Sequence, residues 1–221
     1  MTFQVDKVKP GQDGTKIWCL PTGRLLDSPV GAGDRGITTA LVWITRPDVE
    51  DGLAYGTEEG YLSMWKRHRK EEEFTEVFSD RLNGGNLGQE ISAMAYDPNS
   101  GQLTISHRAE VIHRFTVDGA LHPTPVKSVA ISKHWPQAVA FGQTGIRGPE
   151  IWSFGREDGG LHVLDHEGKI LRTRSTGTVI GDAVVSLKED AIIIGDVTQG
   201  IALYKLSTLD RVKTFSIPCD E

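Results

Sequence analysis

The sequence predicts an all-β protein assembled from four-stranded antiparallel repeats, and three observations predict it. Short runs rich in Val, Ile, Thr and aromatic residues recur along the 221 residues, with Gly, Asp, Asn and Pro between them. Five of these runs share one shape: a glycine or charged turn, a short apolar strand with a large residue near its end, then a polar turn. No apolar pattern with spacings of three and four persists over ten residues, as a helix would require.

The five runs are GTKIWCLPTG from Gly14, GYLSMWKRH from Gly60, AEVIHRFTVDG from Ala109, GLHVLDHEG from Gly160 and GIALYKLSTLD from Gly200. Their anchors, Trp18, Trp65, Phe115, Leu164 and Tyr204, stand 47, 50, 49 and 40 residues apart. A blade of a β-propeller takes about 40–50 residues. The prediction is therefore a β-propeller of about four to five blades, incomplete as a ring, in one domain. Its units span approximately residues 1–30, 37–79, 91–127, 137–175 and 180–217.

Each unit divides into strands a to d. The second reads Ile37–Thr45, Gly52–Gly56, Tyr61–Lys66 and Phe74–Phe78. The third reads Ile91–Tyr96, Gln102–Ser106, Val111–Val117 and His122–Val126. The fourth reads Gln137–Phe141, Ile151–Phe154, Leu161–Leu164 and Ile170–Arg174. The fifth reads Gly181–Leu187, Ala191–Ile194, Ala202–Leu206 and Val212–Ile217. The first is the weakest, with Phe3–Asp6 ahead of strands c and d. Asp97-Pro98-Asn99-Ser100-Gly101, Asp118-Gly119 and Glu167-Gly168 fall at proposed turns, where their side chains and backbone freedom suit them.

The short strand c with a tryptophan near its end, KIWCL at Lys16 and SMWK at Ser63, resembles the WD-repeat proteins. HRAEVIHRF from His107 and HWPQAVAFGQTGIRGPEIWSFGREDG from His134 resemble uncharacterised fungal members of that kind. The resemblance implies an interaction scaffold. Trp-Asp and Gly-His dipeptides are both missing, so the family's buried Asp–His hydrogen-bond network is not expected here. WD-repeat propellers usually close with about seven blades, within the propeller range of about 4–8. The expectation is a truncated or decayed relative, forming an arc or a small ring.

Composition narrows the function. Net charge is −6 with both signs interspersed, so no basic stripe for nucleic acid is present. No apolar run approaches the roughly 20 residues of a membrane span, and MTFQVDKVKP lacks a secretory apolar core. An intracellular, cytoplasmic protein is expected. Cys19 and Cys219 follow no metal-ligand spacing and predict idle thiols.

Candidate chemistry is sparse. His162 and His166 have a zinc-like spacing but lie across a strand and its turn, so ordinary histidines are expected. Gly84–Gly88 and Gly142–Gly148 lack the Gly-Lys-Ser/Thr of a phosphate loop; glycines serving turns are expected instead. Lys66–Glu73 (KRHRKEEE) reads as an exposed, self-paired hairpin. Trp18, Trp43, Trp65 and Trp152 are assigned to the core. Trp135, between strands, is the candidate exposed anchor.

No catalytic residue, metal or cofactor is predicted. The expected function is protein or peptide binding through the face carrying the b–c turns and d–a connections. Its candidate contacts are Glu58, Glu59, Arg81, Gln89, Arg108, Trp135, Arg156, Glu157, Asp158 and Gln199. Open sheet edges would also permit self-association. The alternatives are a metal-dependent propeller hydrolase of the lactonase kind and a sugar-binding propeller. The apolar strand a segments argue against the first.

Overall fold

The computed structural model describes residues 3–6, 16–19, 23–27, 35–46, 49–67, 74–82, 90–108, 110–145 and 148–217. They form strands and turns. The first sheet is three-stranded: β1 (Phe3–Asp6), β2 (Lys16–Cys19) and β3 (Arg24–Asp27). Four four-stranded antiparallel sheets follow in chain order. The first of these comprises β4 (Thr38–Arg46), β5 (Val49–Thr57), β6 (Tyr61–Arg67) and β7 (Thr75–Arg81). The next comprises β8 (Ile91–Asp97), β9 (Gln102–His107), β10 (Val111–Val117) and β11 (Pro123–Ala130). Then come β12 (Pro136–Gly145), β13 (Gly148–Gly155), β14 (Gly160–Leu164) and β15 (Ile170–Ser175). The last is β16 (Ile180–Ser186), β17 (Ala191–Asp196), β18 (Gly200–Lys205) and β19 (Arg211–Phe215). Among the described residues no helix is long and apolar enough to cross a membrane.

The anchor positions are equivalent. Trp65, Phe115, Leu164 and Tyr204 each occupy the fifth position of the third strand of their sheet. All four are buried. Trp18 lies in β2, the third-strand counterpart of the first sheet, paired with Gln4.

The chain forms two compact units: residues 1–91 with 117–124, and residues 92–116 with 125–221. In the first, Ile17, Leu53, Tyr55, Trp65 and Phe74 form one core, with Leu41 and Trp43 against it. In the second, Ile112, Ile131, Ile151 and Leu164 join β8–β11 to β12–β15. A larger cluster joins β12–β15, through Trp152, Phe154, Leu161 and Val163, to β16–β19, through Ile192, Ile194, Ala202 and Tyr204. The alternation of buried and open positions along β17 and β18 is the period of two that aims one set of side chains at the neighbouring sheet.

Turn carboxylates stop the strands by capturing backbone donors. Asp118 Oδ1 accepts from the amides of Ala120 and His122 at 2.9 and 2.8 Å. Asp165 Oδ1 accepts from Glu167 and Lys169, both at 2.8 Å. Asp97 accepts from the amides of Asn99 and Ser100 at 3.2 Å. These are Asx turns, which offer the backbone an alternative to the ladder.

Two expectations are corrected. Arg67 is not part of an exposed hairpin: it is 2% exposed, with its guanidinium 4.8 Å from the Phe74 ring centroid. Neighbouring Lys66 donates to the carbonyl of Gly119 at 2.7 Å; His68–Glu73 lie outside the described residues. Gly142 does not serve a turn. It lies within β12, where a Cβ would stand 2.1 Å from Trp152 Nε1, so the missing side chain makes room for the indole. Gly148, with φ of 136°, does serve the hairpin turn. Gly84–Gly88 lie outside the described residues.

Candidate functional site

In the second unit, Arg108, Trp135, Pro136, Gln137, Arg156 and Glu157 surround a cavity of about 460 Å³. Arg108 comes from the β9–β10 turn, Trp135 to Gln137 from the entry to β12, and Arg156 with Glu157 from the β13–β14 turn. Backbone bonds fix these walls. The amide of Arg156 donates to the Trp135 carbonyl at 2.9 Å, and that of Ile180 donates to the Arg156 carbonyl at 3.0 Å. Trp135 is 38% exposed. Among the described residues the side chains of Arg156 and Glu157 have no hydrogen bond or ion pair, so both charges face solvent.

Directly beneath, a buried network locks the two walls together. His134 is 1% exposed, with Nδ1 2.8 Å from Asp158 Oδ2 and Nε2 2.8 Å from Ser153 Oγ. A carboxylate only accepts, so Nδ1 carries the proton and donates to Asp158. The other ring nitrogen, Nε2, pairs with the Ser153 hydroxyl. Gly155 and Gly160 make space for the carboxylate: a Cβ at either would stand 1.9 or 2.2 Å from Asp158 oxygens. This corrects the expectation that a buried Asp–His network is missing; it is present in the β12–β15 sheet. His134 itself is not an ordinary surface or strand histidine but a buried loop residue.

The order Asp158–His134–Ser153 is that of a nucleophile with its base and orienting acid. Ser153 is fully buried, however, so no substrate reaches its hydroxyl. His162 stacks edge-on against His134 at 4.5 Å, with Nδ1 3.0 Å from Thr173 Oγ1. Burial, and then the neighbouring His134, push the His162 imidazole below its ordinary range against the pull of Asp158. His134, Asp158 and His162 place one donor atom each within 4.8 Å of the others. Two of these groups, His134 and Asp158, are already hydrogen-bonded to each other. The arrangement is a hydrogen-bonded clamp. His166, the zinc-spacing partner of His162 in the sequence, sits apart beside Glu167 at 3.6 Å.

The other predicted contacts are placed differently. In the first unit, Arg81 donates from Nε to the Glu59 carbonyl at 2.8 Å and from Nη2 to Glu59 Oε2 at 3.1 Å. Glu58 Oε1 accepts the Ile37 amide at 3.1 Å. These three side chains brace their own turn. In the second unit, Gln199 Oε1 accepts from Arg211 Nη2 at 3.2 Å. Asp158 is turned inward to His134. Gln89 lies outside the described residues. The cavity thus gathers Arg108, Trp135, Arg156 and Glu157 and leaves the others elsewhere.

The clamp was the part missed from sequence. Its signal was a histidine two residues before strand a, with a serine in strand b and an aspartate in the b–c turn of the same repeat.

No family model matches the sequence, and no curated protein matches it. Solved structures do. The crystal structure of Saccharomyces cerevisiae Sqt1 superposes with a TM-score of 0.66 at 15% identity, over 92% of this chain and 57% of that one. A chain of the mitotic checkpoint complex gives 0.67 at 13% identity, over 92% and 58%. Both are WD40 β-propeller proteins. The fold is that of a WD-repeat-like β-propeller. The chain spans just under three-fifths of the length of these two matched chains.

Proposed function

We propose that this chain is a non-catalytic scaffold that binds a protein or peptide partner through the cavity at Trp135. The observation that carries the reading is the cavity's composition. A part-exposed indole stands among two guanidiniums and a carboxylate, on loops held by a buried clamp. Trp and Arg are the residues most enriched at binding hot spots. The two charge signs suit a polypeptide, which offers carboxylates, amines and backbone groups together. A sugar would call for more than one exposed ring, and a serine hydrolase for a reachable hydroxyl. Ser153 is out of reach, and the matched folds belong to WD40 scaffold proteins, which supports the same reading.

A displayed peptide library panned on the wild-type chain tests this. Recovered peptides should bind at least about tenfold more weakly to Trp135→Ala and to the double charge reversal Arg156→Glu with Glu157→Arg. Peptides that bind both variants as well as wild type would refute the assignment of the site.

A further inference from the structure

The clamp under the cavity is made by His134, Asp158 and Ser153, and His162 donates and accepts no hydrogen bond within it. Yet His162, half-buried at the third position of β14, sets its ring edge-on to His134 at 4.5 Å. With Asp158, the two imidazoles place one donor atom each within 4.8 Å of the others. The fold does not ask for imidazole at either place. In β16–β19 the backbone counterparts of His134 and His162 are Thr178 and Ala202, and in β4–β7 they are Gly36 and Ser63.

Three features fit this trio to a metal ion. Each imidazole has its second nitrogen tied to a hydroxyl: His134 Nε2 to Ser153 Oγ at 2.8 Å, and His162 Nδ1 to Thr173 Oγ1 at 3.0 Å. Outer partners of this kind fix the orientation of metal-ligating histidines. Among the described residues, His162 Nε2 is left without a protein partner, and Asp158 Oδ1 is buried without one. Gly155 and Gly160 put no side chain over the donor atoms. A Cβ at either would stand 2.6 or 3.3 Å from His134 Nδ1, as well as against the carboxylate. The Asp158 side chain is 20% exposed, which gives an ion a way in from solvent.

We propose that His134, Asp158 and His162 form a zinc-binding site. Two imidazoles and a carboxylate are ligands that zinc accepts, at bond lengths of about 2.0–2.2 Å. The ion takes the place of the proton between His134 and Asp158. At such lengths the ligand atoms of a tetrahedral ion stand about 3.3 Å apart. The 2.8 Å pair of His134 and Asp158 therefore opens by about half an ångström, and His162 closes in. The Nδ1 proton of His134 passes to the buffer, and the lone pair it leaves forms the bond to zinc. Water takes the fourth position. The ion then ties the loop before β12, the β13–β14 turn and β14 together at one point. The proposal stands on this cluster and not on the peptide reading of the cavity.

Calorimetric titration of zinc chloride into the untagged, chelator-stripped chain tests it. One ion should bind per chain, and titrations in buffers of different ionisation enthalpy at pH 7.5 should show about one proton released with it. His162→Phe keeps an aromatic edge against His134 and leaves the clamp whole. Its urea midpoint in chelator should match wild type, while its zinc affinity falls by about a hundredfold or more. Thr173→Val removes only the orienting hydroxyl and should cost about tenfold. His166→Ala, which lies apart from the cluster beside Glu167, should bind zinc as wild type does. A wild-type chain that takes up no zinc at millimolar concentration would overturn the proposal. So would equal zinc affinity in His162→Phe and wild type, or binding with no proton released. Peptide binding measured in chelator, with no zinc present, reads the cavity separately.

Discussion

Replacing His134 by leucine should be among the most damaging single changes in the second unit. The volumes are similar, so the loss is mainly of hydrogen bonds. His134 is 1% exposed and Ser153 fully buried, so the serine hydroxyl would be stranded without its partner. A buried polar group left unpaired costs about 1–3 kcal/mol. The Asp158 side chain is 20% exposed, and water would recover part of its lost bond, leaving about 0.5–1 kcal/mol. The sum is about 1.5–4 kcal/mol, a large share of the roughly 5–15 kcal/mol by which domains are stable. Ser153→Ala alone should cost about 1 kcal/mol, and the double variant less than the sum, because no hydroxyl is then stranded. Urea denaturation read by tryptophan fluorescence and by circular dichroism measures all three. Coincident transitions would license the two-state treatment in a chain of two compact units. A His134→Leu cost below about 0.5 kcal/mol, or strict additivity with Ser153→Ala, would refute the clamp.

Acid should weaken the fold through buried imidazoles. Burial holds His113 below its ordinary range, with Nδ1 2.7 Å from Ser128 Oγ, and His162 is lowered for the reasons given above. The unfolded chain then binds protons that the folded chain refuses, so stability falls as pH drops below about 6.5 towards the folded-state values. Denaturation midpoints at pH 7.5 and 5.5 should differ in that direction, and His113→Gln should reduce the difference; equal midpoints would count against it. Gly142→Ala places a methyl 2.1 Å from Trp152 Nε1, and overpacking of that kind costs about 1–3 kcal/mol. A lowered melting temperature with a shifted tryptophan emission is expected, and an unchanged melt would mean the indole moves freely.

The fold was legible because each repeat carries the same instruction locally. Alternating apolar residues in β17 and β18, Asx turns between β8 and β9 and around Asp118 and Asp165, and a large residue at the fifth position of the third strand of each four-stranded sheet are all short-range features. Strand ends were less legible. The stretch of Gly142 to Gly145 looks like a loop, yet β12 runs through it, because the glycine is demanded by an indole on the neighbouring strand and not by a turn. Arg67 was misjudged for a related reason. A charge block reads as solvated, but the arginine's place at the end of β6 lays it against Phe74, which only the β6–β7 hairpin brings near.

The site was legible only where it lies in turns. Arg108, Arg156 and Glu157 follow from knowing where strands b and c end, and Trp135 from its place between strands. The clamp beneath them did not follow, because its three residues are far apart in the chain and form no dipeptide. A Gly-His pair is missing, but Lys133 adopts φ of 60°, the left-handed conformation that glycine takes at less cost, and so delivers His134 to the same kind of buried position. What selection can preserve here is a geometry: an acceptor in the b–c turn, a hydroxyl in strand b and an imidazole before strand a. The hydrogen bonds depend on three positions brought together by the ladder, so neighbouring residues in the chain are free to drift. The same reasoning accounts for β4–β7 and β16–β19. The backbone equivalents of His134 are Gly36 and Thr178, neither of which can bridge two buried partners as imidazole does. There the b–c turn is held by other means, with Glu58 accepting the Ile37 amide in one and Asp196 accepting from Thr198 and Gln199 in the other. One fold thus tolerates three solutions to the same loose turn. Of the three turns compared, the one that uses a buried imidazole lies under the cavity with the exposed tryptophan.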